Sequence, residues 1–97
     1  INTPSMLAVE DAIFALEWAK GIGGLAEMKR RADANAAALD RLVQEREWLG
    51  HLAAEPASRS NTSVCLTVRG ADADFIKRFA ALLEAEGAAY DIAGYRD

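Results

Sequence analysis

The sequence predicts an α/β fold, with about three helices packed on a short sheet. Three observations carry that expectation. Residues 62–68 alternate, placing Val64, Leu66 and Val68 on one side and Ser63, Cys65 and Thr67 on the other. That is the period of a strand with one apolar face. Three other stretches, near 4–20, 25–46 and 73–86, carry apolar residues at helical spacing. A strand standing alone would leave its N–H and C=O groups unpaired, so it belongs in a small sheet roofed by those helices.

The elements follow in order. Thr3 suits an N-cap and Pro4 a first helical position, where the missing N–H costs nothing. In the helix behind them, Met6, Val9, Ile13 and Leu16 form one ridge, and Leu7, Phe14 and Trp18 its neighbour. So wide a stripe predicts burial on more than one side. Gly21, Gly23 and Gly24 end the helix.

A second helix starts near Leu25 with Glu27 in its first turn, where the helix dipole favours an acid. Leu25, Met28, Ala32, Ala36, Leu39 and Val43 form its apolar stripe, and the run Ala36-Ala37-Ala38 would let another helix approach closely. Trp48, Leu49 and Leu52 read as an apolar plug leading into a short extended segment around 52–54, and Pro56 then breaks the pattern. Residues 57–61 form a polar loop into the strand. Beyond the Arg69-Gly70 turn, Asp72 is the expected N-cap of a third helix running to Glu86, with Phe75, Ile76, Phe79, Leu82 and Leu83 on one face. Gly87 ends it, and residues 88–92 are expected as another short strand, completing a strand–helix–strand unit.

Length and charge narrow the function. The chain has 97 residues, enough for one domain. A net charge of −4 argues against nucleic acid or an acidic membrane face as partner. No apolar run approaches the roughly 20 residues of a membrane span, and the opening residues lack the basic start and apolar block of a signal peptide. A single cysteine, Cys65, cannot form an internal disulfide and is expected as a small buried hydrophobe, in keeping with a cytoplasmic location. Ile1 stands where a methionine would start a chain, so a piece of a longer protein is expected.

The residues alone show no complete active site. His51 and Cys65 match no metal-ligand spacing and are expected to be structural. Glu10 and Asp11 diverge by about 100° on a helix and read as solvated. Gly21, Gly23 and Gly24 follow a helix instead of opening one, so they do not make a phosphate loop. Arg59 is expected to close the loop before the strand, although its position also suits an anion.

The segments NTPSMLAVEDAIFALEWAKGIGGL, RADANAAAL, RSNTSVCL and GAAYDIAGYRD resemble the C-terminal part of the phosphoserine aminotransferase family. The resemblance covers nearly the whole chain in order. It implies a class V, fold type I enzyme dependent on pyridoxal 5′-phosphate, acting as a cytoplasmic homodimer in serine biosynthesis. It further implies that residues 1–24 are a helix from the end of the large domain with its junction, and that 25–97 are part of the small C-terminal domain.

The site residues come from the same resemblance. Asn2 and Thr3 match a pair that reaches the cofactor phosphate of the neighbouring subunit; the alternative is that Thr3 only caps and Asn2 only turns. Tyr95 and Arg96 match a site where relatives carry His-Arg against the phosphate of phosphoserine, Tyr95 being a departure. The alternative for Arg96 is a terminal side chain in solvent. No catalytic residue is expected here: the cofactor-bearing lysine of the family lies before this stretch, and Lys20, Lys29 and Lys77 match no such motif. A free-standing, non-catalytic α/β binding module and another class V aminotransferase are the competing readings.

Overall fold

Residues 3–92 are described by the structure, a computed structural model. The elements are helix α1 (Met6–Gly21), helix α2 (Gly24–Glu45), strand β1 (Leu49–His51), a single 3₁₀ turn (Pro56–Ser58), strand β2 (Leu66–Val68) and helix α3 (Ala73–Ala85). The expected class stands: three helices and a short sheet, here of two antiparallel strands. Leu49 pairs with Val68, Gly50 with Thr67 and His51 with Leu66.

The sheet differs from expectation in three places, each for a local reason. First, β1 is three residues earlier than the predicted 52–54, because the pairing register places Leu49 in the interior at 7% exposure. Gly50 relieves the central pair, since a Cβ there would lie 3.0 Å from Thr67 Oγ1, a tight contact. Second, β2 is shorter than the predicted 62–68 and Leu66 is exposed. Upstream of it, Ser60 Oγ accepts from the Thr62 and Ser63 amides at 3.2 and 3.1 Å. A hydroxyl that captures nearby amides bends the chain out of the extended ladder. Cys65, expected buried, is consequently exposed.

Third, 88–92 form no strand, so the predicted strand–helix–strand unit is not made. Ala88 and Ala89 instead donate back to the Leu83 carbonyl, and Asp91 sits at φ +52°. Both features wind the chain onto the end of α3 and away from the sheet.

The helices follow the sequence more closely. In α3, Asp72 caps as predicted by accepting from the Phe75 amide at 2.8 Å. Phe75 stacks on Phe79 at 6.0 Å between centroids, and Trp48 meets Phe79 edge-on at 6.1 Å. Such aromatic pairs add about 0.5–1.5 kcal/mol beyond the area they bury. They tie α3 to the residue just before β1. Helix α2 lies close to its predicted span, and its stripe is half-buried from Ala32 to Val43 but open at Leu25 and Met28.

Helix α1 departs most. It begins two residues later than predicted, with Ser5 in place of Thr3 at the N-cap and no side-chain cap bond. Burial on more than one side was expected, yet no residue of α1 is buried. Met6, Leu7, Phe14 and Leu16 are each at least 70% exposed. The helix leans on α2 and reaches little else, so its broad apolar surface finds no cover within the described residues. The radius of gyration, 17.8 Å, accordingly exceeds the roughly 13 Å of a compact domain of this length.

Leu49 is the buried hydrophobic residue among those described. Leu49→Ala in the full-length protein should lower stability by about 2–5 kcal/mol. A fall in the urea midpoint at constant m-value is the measurement.

Candidate functional site

Thr3 lies exposed in the extended approach to α1. Asn2, Tyr95 and Arg96 fall outside the described residues. The structure therefore gives no geometry that joins the two phosphate positions expected from the sequence. It does describe the helix end beside Thr3. Ser5 leaves its side chain unused as a cap, and the first turn of α1 contains no acidic residue. The leading amides of a helix lack intrahelical acceptors, and a positive partial charge gathers there. That donor set fits a phosphate, which needs N–H donors and no competing carboxylate.

A second polar assembly lies between α2 and the connection 52–65, where the sequence predicted an extended segment at 52–54, a polar loop at 57–61 and the start of a strand. Its centre is Asp40. His51 Nε2 is 2.8 Å from Asp40 Oδ1, and Arg59 Nη1 approaches the same oxygen at 3.6 Å. The imidazole is only 10% exposed, whereas the Asp40 side chain is 44% exposed. Arg59 also donates from Nε to the Ala53 carbonyl at 2.9 Å and from Nη2 to the Ala54 carbonyl at 3.1 Å. The expected loop-closing role of Arg59 is thus met, and its donors are largely committed. His51 ties the end of β1 to α2 through this contact.

Farther along the same connection, Asn61 Nδ2 donates to Asp33 Oδ1 at 2.7 Å. A cavity of about 460 Å³ separates this connection from α2, with Ala36, Asp40, His51, Arg59, Ser63 and Cys65 among its lining. The small side chains of 36 and 37 admit a loop here, where a second helix was expected. The partners are 11 and 28 residues apart in sequence, beyond the reach of any spacing rule. Among the described residues no group of three or more His, Cys, Asp or Glu side chains is placed to hold a metal ion. None of their helices is long and apolar enough to cross a membrane. Lys20, Lys29 and Lys77 are exposed on their helices.

Comparison with known proteins adds what this geometry lacks. Over all 97 residues the chain is 42% identical to a phosphoserine aminotransferase of Methanosarcina mazei. The chain is similar to part of a phosphoserine aminotransferase. A phosphoserine aminotransferase of Methanosarcina barkeri is 43% identical over the same 97 residues, and one of Phocaeicola vulgatus is 31% identical over 80 residues, 78% of the chain. The chain spans about a quarter of the length of the Methanosarcina phosphoserine aminotransferases, 26% in each case. No family model and no solved structure matches it.

The group with the most displaced titration lies away from both places. Glu27 is held down to about 2 by hydrogen bonds from Arg30 and then Arg31, at 2.7 and 2.9 Å. Perturbed groups often mark active sites, but this triad runs along one exposed helix at i, i+3 and i, i+4 spacing. It supports the first turns of α2. The folded carboxyl sits below its ordinary value of 4.5, so the stabilising contribution is whole above that pH and gone below about 2. Side-chain NMR titration of Glu27 should place its midpoint near 2, and replacing both arginines by glutamine should return it towards 4.5.

Proposed function

We propose that the chain is the C-terminal portion of a pyridoxal phosphate-dependent phosphoserine aminotransferase. Its parent moves an amino group between glutamate and 3-phosphohydroxypyruvate, giving phosphoserine and 2-oxoglutarate for serine biosynthesis in the cytoplasm. The single observation that carries this reading is the 42% identity to a phosphoserine aminotransferase running the whole length of the chain. Residues 1–24 then end the large domain and carry the junction, and 25–97 belong to the small domain.

In this reading Asn2 and Thr3, with the first amides of α1, hold the phosphate of the cofactor bound by the other subunit of a homodimer. The uncapped, acid-free start of α1 supports that role. Pyridoxal phosphate, when bound, supplies the electron sink for amino transfer, and the protein's share is to bind and orient it. Arg96, with Tyr95 beside it, contributes a planar pair of N–H donors suited to the substrate phosphate. The large exposed apolar surface of α1 favours a part of a larger subunit over a free-standing module.

Two measurements on the full-length protein test these roles. Asn2→Ala with Thr3→Ala should weaken cofactor retention by roughly ten- to a hundredfold, the scale of one lost hydrogen bond to a charged group. Cofactor affinity equal to wild type would remove the phosphate-holding role. Arg96→Ala should lower kcat/KM for phosphoserine on the order of a hundredfold while sparing that for glutamate. An equal loss for both substrates would reassign Arg96 to the fold.

A further inference from the structure

The connection 52–65 joins two strands of three residues each, yet it is long for a hairpin. It does not stand free. From one end, Arg59 gathers the Ala53 and Ala54 carbonyls, which folds the first half of the connection onto itself. The 3₁₀ turn at Pro56–Ser58 sits inside this fold, with Ser58 Oγ donating to the Glu55 carbonyl at 2.8 Å. In the second half, Ser60 organises Thr62 and Ser63. Each half is therefore a small folded unit held by its own short-range bonds.

What binds these units to the rest of the molecule is different in kind. Side-chain contacts from the connection to α2 end on two carboxylates, an ion pair of Arg59 with Asp40 at 3.6 Å and a hydrogen bond from Asn61 to Asp33 at 2.7 Å. The two acids lie two turns apart on one face of α2, with Ala36 and Ala37 between them. Asp40 also receives His51, the last residue of β1, where the connection begins. One carboxylate thus meets both the root and the middle of the connection, and Asn61 adds a second tie farther on.

We propose that 52–65 is a strap latched onto α2 through Asp40, and that releasing this carboxylate frees the strap as a unit while the sheet it joins stays intact. The strap forms one wall of the open cavity of about 460 Å³ against α2, so release of the latch reshapes that space. The β1–β2 ladder does not run through Asp40, and Leu49 and the aromatic contacts at Trp48 hold it independently. This inference does not depend on the aminotransferase reading.

Limited proteolysis of the full-length protein tests it. Arg59 is a trypsin target whose guanidinium is engaged in the latched state, and Arg41 in α2 and Lys77 in α3 serve as internal references. Asp40→Ala favours the helix at that position, so α2 should be retained. It should speed cleavage after Arg59 roughly fivefold, with cleavage after Arg41 and Lys77 unchanged, because local opening costs less than global unfolding. Asn61→Ala should speed the same cleavage by a smaller factor. Unchanged cleavage in Asp40→Ala overturns the latch. So does equal acceleration at all three sites, which would make Asp40 a support of the whole fold, or a larger effect from Asn61→Ala than from Asp40→Ala.

Discussion

The antiparallel pairing of Leu49 with Val68 is the constraint on which the remaining structure depends. It brings together two short segments separated by a long polar connection, and it seats Leu49 in the interior. Closing a loop costs entropy before any contact offsets it. Three residues per strand supply few ladder bonds, and side chains reach outward from the pair and its connection. Trp48 reaches α3 through Phe79, His51 reaches α2 through Asp40, and Arg59 gathers the connection itself. Gly50 at the centre spares Thr67 a close contact, since a Cβ there would lie 3.0 Å from its Oγ1.

Helix α1 stands outside this arrangement. Its apolar residues form a stripe too wide for one neighbour, and the described chain covers few of them. A helix apolar on all sides belongs in an interior. The same wide stripe that predicted burial therefore describes a requirement that these residues do not meet among themselves. The span of the chain, a quarter of the length of the Methanosarcina phosphoserine aminotransferases, is in keeping with that requirement.

The functional reading rests on different grounds from the fold. The roles proposed for Asn2, Thr3, Tyr95 and Arg96 rest on family resemblance, because two polar residues at each end of a chain make no chemical pattern by themselves. The start of α1 offers one physical support, an open helix end without acids. The internal polar assembly around Asp40 is better defined geometrically, yet it carries no signature of catalysis. Its arginine and histidine are spent on holding chain segments in place.

By itself the sequence determined the helices, their order and the cap at Asp72, because helical periodicity and capping act within a few residues. It also determined the turn-forming glycines and the loop-closing part of Arg59. Tertiary structure alone decided where β1 begins, how much of 62–68 joins the sheet, and that 88–92 do not. A strand needs a partner, and pairing register is set by which residue can be buried opposite which. The same holds for Asp40: on α2 it looks like any solvated acid until the fold delivers His51 and Arg59 to it. Contacts between residues far apart in the chain leave no periodic trace, and only the folded path reveals them.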